Sequence, residues 1–134
     1  MDAMILHCRK ELSTKTFAVD FKAKDAHIML AALFDNIIRV FAEKPISSYF
    51  SIVQQMSMFD EHFADENRLM TSMINARIRI ALEFCVQRNW LDIRDTDFMA
   101  DLMTAAVMRK ICAVLSEDAE WETDRLADGL IVLI

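Results

Sequence analysis

Glycine and proline are nearly missing from this 134-residue chain, which holds one of each, Gly129 and Pro45. Strands joined by tight turns draw on residues that tolerate positive φ, so this scarcity favours helices joined by short polar links. Long uncharged runs are missing too: the longest aliphatic string, Leu130 to Ile134, is far too short to span a bilayer. The opening Met1-Asp2-Ala3-Met4 carries an acid where a signal peptide carries base, and the expected location is cytoplasmic. The net charge is −6 and the basic residues are scattered, which argues against nucleic-acid binding by this chain alone. Cysteine is sparse and odd in number: Cys8, Cys85 and Cys112 lie far apart on helical patterns and suit reduced, mostly buried thiols. There is no CxxC or HxxxH spacing, and the neighbours His7 and Cys8 point about 100° apart on a helix, so no metal is expected. An ExxH pair, a nucleophile elbow and a phosphate-cradling glycine loop are also absent, so neither an enzyme nor a cofactor is expected.

What is present is apolar and periodic. Hydrophobic residues make up 54% of a chain long enough for one domain with a real core. Asp2 to Leu12 reads as a short helix that starts almost at the first residue, as the back part of something longer would, and residues 13–20 read as a connector. Asp25 to Glu43 is the second helix. Its apolar face is Leu30, Leu33, Phe34, Ile37, Ile38 and Phe41, opposite Asp35, Arg39 and Glu43. Pro45 stops it and opens a third helix to about Met58, which should bury Ile46, Tyr49, Phe50, Val53 and Met56. Phe59 to Asp65 reads as a bend. The fourth helix, Asn67 to Arg88, has a polar stripe of Arg68, Ser72, Asn75, Arg79, Glu83 and Gln87, in which Arg79 and Glu83 can pair at i,i+4. The polar hinge Asp92 to Asp97 supplies a cap at Asp95 or Thr96 for a fifth helix, Phe98 to about Leu115. Ser116 is expected to cap a sixth, with Leu126, Leu130 and Leu133 on one stripe. The expectation is an all-α bundle of about six helices.

Two groups of residues point toward function. The last helix ends in five apolar residues, leaving no polar side for a surface helix. Such a segment must be covered, either by its own fold or by a second copy. The second option makes Phe98, Leu102, Ala105, Arg109, Leu126, Leu130, Leu133 and Ile134 a homodimer interface, in which two helices from each copy form a four-helix bundle. The other group is rich in Met and Phe, as expected of a chain with ten methionines and nine phenylalanines. Phe34, Ile38, Phe41, Tyr49, Phe50, Met70, Met73, Ile74, Arg77 and Phe84 can line a cavity for a small hydrophobic effector, although Met and Phe also simply fill cores. Met56, Phe59 and Phe63 extend the same set. Arg77 lies on an apolar face, where a lone charge is costly. It can anchor a polar ligand group, pair with Asp35 or Asp60, or run its stem outward to water. Asp60, Glu61, His62, Asp65 and Glu66 read as a solvated helix junction rather than a metal site.

The junction Arg88-Asn89-Trp90-Leu91-Asp92-Ile93-Arg94-Asp95-Thr96-Asp97, followed by Ala100-Asp101-Leu102 and Arg109, resembles the C-terminal domain of TetR-family transcriptional regulators. In that family a long helix ends in a turn and passes into the first of two dimerisation helices. Glu43-Lys44-Pro45 before an aromatic helix is similar to an earlier part of the same domain, and Asn89 stands where the family usually carries glycine. The resemblance covers nearly the whole chain, although its motifs are degenerate. It implies an effector-sensing and dimerisation domain of a repressor, spanning residues 1–134, with residues 1–20 as the remnant of a connecting helix and linker. DNA contact would then belong to an N-terminal helix-turn-helix that these residues lack. The competing reading is a stand-alone helical interaction and dimerisation module without a ligand pocket.

Overall fold

The computed structural model describes residues 21–44 and 46–117, and every regular element among them is α-helical. Four helices follow in order: α1 (Ala26–Ala42), α2 (Ile46–Met56), α3 (Glu61–Gln87) and α4 (Thr96–Glu117). The expected first helix, Pro45 and the sixth helix with Leu126, Leu130, Leu133 and Ile134 lie outside the described residues.

Local chemistry sets the helix ends. Asp25 is extended, and its carboxylate accepts from the Ile28 amide at 2.8 Å, which satisfies one of the four unpaired N–H groups of the first turn of α1. Asp60 does the same for α3 by accepting from the His62 amide at 2.9 Å. Asp95 does so for α4, accepting from Phe98 N–H at 3.0 Å. The cap at Asp60 corrects the expected bend at Phe59 to Asp65. Helix begins at Glu61, because a short acidic side chain and two backbone bonds, from Phe59 and Asp60 to Met56 O, complete the turn within residues 57–60. That early start leaves Met58 and Phe59 86% and 83% exposed and Met56 partly exposed, so none of the three joins the core. α4 continues to Glu117, past its expected end at about Leu115, and the sixth helix that Ser116 was expected to cap lies outside the described residues.

One apolar core unites the four helices. α1 is buried on most of its surface, from Met29 to Phe41, and its outward Asp35 and Arg39 form an i,i+4 ion pair at 2.9 Å. α2 contributes Ile46, Tyr49, Phe50 and Val53, and α3 contributes Phe63, Met70, Ile74, Ile78, Ala81, Leu82 and Cys85. Each fully buried large side chain contributes about 1.5–3 kcal/mol relative to exposure. The most extensive helix pairing is between α3 and α4, and it decides how α4 is presented. Among the described residues no helix is long and apolar enough to cross a membrane.

Candidate functional site

Seven of the ten residues expected to line an effector cavity meet in the core. α1 brings Phe34, Ile38 and Phe41, α2 brings Tyr49 and Phe50, and α3 brings Met70 and Ile74, all at most 1% exposed. Phe41 and Phe50 meet edge to face with centroids 5.5 Å apart, the geometry favoured by ring quadrupoles. Burial this complete leaves almost no room for water against these side chains, so they pack on one another rather than lining the expected cavity. Met73, Arg77 and Phe84 sit half-buried on α3, with Met73 and Phe84 packed on the core's margin. Arg77 meets neither Asp35, which pairs with Arg39, nor Asp60, which caps α3, and its half-burial fits a stem laid along the apolar face.

One polar pair is sealed into this region. Glu66 is fully buried on α3 and accepts a hydrogen bond from the hydroxyl of buried Tyr49 on α2. A buried carboxylate is tolerated only when such bonds replace its hydration. Sequence reasoning placed Glu66 in a solvated acidic junction. That expectation is corrected, because helix from Glu61 turns residue 66 inward while Asp60 caps and Asp65 pairs with Arg68. Among the described residues no three His, Cys, Asp or Glu side chains gather as metal ligands would.

Two open depressions lie elsewhere, where α2 meets the C-terminal end of α4. One, of about 240 Å³, is lined by Phe50, Ser51, Gln54, Gln55, Cys112 and Leu115. The other, of about 560 Å³, lies between Ala42, Lys44, the serines 47, 48 and 51, and Val114 with Leu115. Phe50 is the one member of the expected sensing set on either lining. The available signal was the polar side of α2, Ser47-Ser48-x-x-Ser51, opposite its aromatic face.

The hinge between α3 and α4 is a defined cap. Asn89 has φ 59°, the one positive φ among the described non-glycine residues. Around it, Trp90 N–H reaches Cys85 O at 2.9 Å and Asn89 N–H reaches Val86 O at 3.0 Å, the paired bonds of a Schellman motif. The apolar clasp that accompanies this motif is Trp90 on Phe84, edge to face at 5.8 Å. Phe21 lies on the same Phe84 ring at 5.0 Å, and the Arg88 guanidinium lies 5.0 Å from its centroid. Asparagine adopts the left-handed conformation more readily than other non-glycine residues, which explains how it serves here.

α4 has two distinct sides. Ala100, Met103, Val107 and Ile111 are at most 1% exposed and enter the core. Opposite them Phe98 (58%), Leu102 (40%), Ala105 and Arg109 face outward on one continuous stripe, joined by exposed Cys112. These are the described members of the expected pairing set, and they share one face. The exposure of Cys112 corrects the expectation of mostly buried thiols. Cys85 fits that expectation: its thiol donates to the Met29 sulfur at 3.8 Å, and burial pushes its pKa up to about 11. Cys8 lies outside the described residues.

A polar ladder joins α3 to the flank of α4. The Asn75 amide nitrogen donates to Asp101 at 2.9 Å and to the Thr104 hydroxyl at 3.2 Å, and its oxygen accepts from Arg79 at 2.8 Å. Arg79 also approaches Asp97 at 3.5 Å. This corrects the reading of Asn75 as part of a solvated stripe, since it is 9% exposed. It also replaces the expected Arg79–Glu83 pair with one that reaches across helices. No family model, curated protein or solved structure matches this chain.

Proposed function

We propose that this chain is a helical pairing domain in which the outward stripe of α4 docks on the same stripe of a second copy. One observation carries this reading: opposite its buried side α4 presents the large apolar side chains Phe98 and Leu102 to solvent, on one stripe with Ala105 and Arg109. Large apolar side chains exposed along one stripe favour a covered position, and a homodimer interface with a polar rim supplies the cover. With Ala105 at the crossing of two antiparallel α4 helices, Arg109 of one copy approaches Asp101 of the other. On the resemblance stated above, the domain is the sensing and dimerisation part of a TetR-like repressor, and pairing would position two DNA-binding domains. Size-exclusion chromatography with light scattering on wild type and Leu102→Asp tests the pairing. The expected result is a dimer that becomes a helical monomer. A monomeric wild type at tens of micromolar, or an unchanged L102D dimer, overturns it.

A second reading, effector binding among α1 to α3, is favoured by the Tyr49–Glu66 pair. A phenol and a carboxylate among Phe and Met side chains offer an orienting polar anchor for an amphiphile with a cationic or hydrogen-bonding head. Entry requires the packed aromatic side chains to part. Thermal shift across a panel of such amphiphiles checks it: a dose-dependent rise in Tm that is lost in Tyr49→Phe supports the reading. A flat response across the panel leaves the pairing module alone.

A further inference from the structure

Hydrophobic burial by itself does not fix how far α4 is turned on α3. Its buried side is Ala100, Met103, Val107 and Ile111, the opposite stripe carries Phe98, Leu102 and Ala105 with charged Arg109, and between them Met99, Ala106 and Met108 are half-buried against the core. A turn of the helix toward Met99 and Ala106 exchanges one apolar surface for another at little cost in buried area. What does distinguish these arrangements is polar. Thr104 is the buried polar residue of α4, 2% exposed, and its hydroxyl donates back to Ala100 O at 2.7 Å while accepting from Asn75 at 3.2 Å. Asn75 spends its second donor on Asp101, and its oxygen takes Arg79.

We infer that Asn75 is the residue that sets the rotation and register of α4 on α3, and so selects the stripe presented for pairing. The alternatives fail on hydrogen bonding. α3 and α4 run antiparallel, since Asn75 meets residues 101 and 104 while Arg79 meets 97. A slip of one turn, about 5.4 Å, brings Ala105 and Met108 opposite Asn75 in one direction and Asp97 and Ala100 in the other. Neither arrangement serves both amide donors, and a buried amide without a partner is costly. A rotation that turns Leu102 inward removes Thr104 from reach. This is how a single buried Asn specifies register in coiled coils, where it trades stability for one defined arrangement.

The inference rests on the pairing reading for its consequence but not for its geometry, and the experiment separates the two. In the double variant N75L/T104V both partners become apolar, which keeps the interface packed and leaves no orphaned donor. Amide NMR of the full chain, urea denaturation and sedimentation then read register, stability and pairing. The expected double variant is at least as stable as wild type, shows more than one resonance set for residues 96–117, and pairs at least tenfold more weakly. T104V alone, which leaves Asn75 its bond to Asp101, should keep a single set. A double variant with one set at wild-type shifts and unchanged pairing overturns the inference. Unfolding overturns it too, because the ladder would then hold the fold rather than choose a face. If wild type is monomeric the pairing reading falls, and the resonance comparison still decides the role of Asn75.

Discussion

Replacing Asn89 with valine is expected to destabilise the domain by about 1–2 kcal/mol, while Asn89→Gly leaves it within about 0.5 kcal/mol of wild type. Asn89 has φ 59°, a left-handed conformation that crowds the Cβ of an L-residue and crowds a β-branched one most. Valine leaves the chain two courses. It can hold the geometry and accept the strain, about 1–2 kcal/mol. Or it can abandon the cap, losing the bonds from Trp90 to Cys85 and from Asn89 to Val86. Those are worth about 0.5–1.5 kcal/mol each, and the Trp90–Phe84 ring contact adds about 0.5–1.5 kcal/mol. The sum of about 1.5–4.5 kcal/mol exceeds the strain, so the cap should survive and the measured loss should be the strain. Glycine removes the strain but adds unfolded-state entropy, and the two nearly cancel. Urea denaturation followed by circular dichroism at constant m-value gives the ranking, expected as Gly close to Asn, then Ala, then Val. If valine equals wild type, or glycine is as damaging as valine, Asn89 is not held by its backbone and the account of the hinge is wrong.

Two further outcomes follow from the core and its thiols. Ile74→Ala, at a site with no exposure in the centre of α3, should cost about 2–5 kcal/mol by urea denaturation, whereas Ile80→Ala, 39% exposed on the same helix, should cost far less. Iodoacetamide at pH 8 should label Cys112 well before Cys85, because burial raises the Cys85 pKa from 9.0 to about 11. The fold thus binds that proton more tightly than the unfolded chain does, so the Cys85 contribution to stability is intact below pH 9 and declines between pH 9 and 11, a loss that Cys85→Ala should abolish.

Much of the architecture was legible in the sequence, and the misses have physical causes. α1 agrees with its expected span to within a residue at each end, because Asp25 caps it and its apolar positions recur at helical spacing. The start of α3 was misplaced by six residues, since an aromatic and acidic stretch reads equally as a bend or as a capped first turn. Phe59 joined the cavity-lining set on its residue type, and the turn it belongs to leaves it in water. Asn75 fell on a polar stripe by periodicity alone, and periodicity carries no information about a neighbouring helix that supplies Asp101 and Thr104. Seven of the ten residues expected to line a cavity pack into the core instead, and the Tyr49–Glu66 pair among them was invisible because the residues lie seventeen apart on separate helices.

By itself the sequence determined that the described residues are helical, where most of their helices stop, and the apolar face of α1, because these follow from local capping and from hydrophobic period. It also named Phe98, Leu102, Ala105 and Arg109 as one stripe, since spacing along a helix suffices for that. Only the tertiary structure decided that this stripe faces outward. α4 has apolar residues beside its buried side as well as opposite it, and their spacing cannot say how the helix is turned. Directional hydrogen bonds from Asn75, formed once α3 and α4 lie side by side, can.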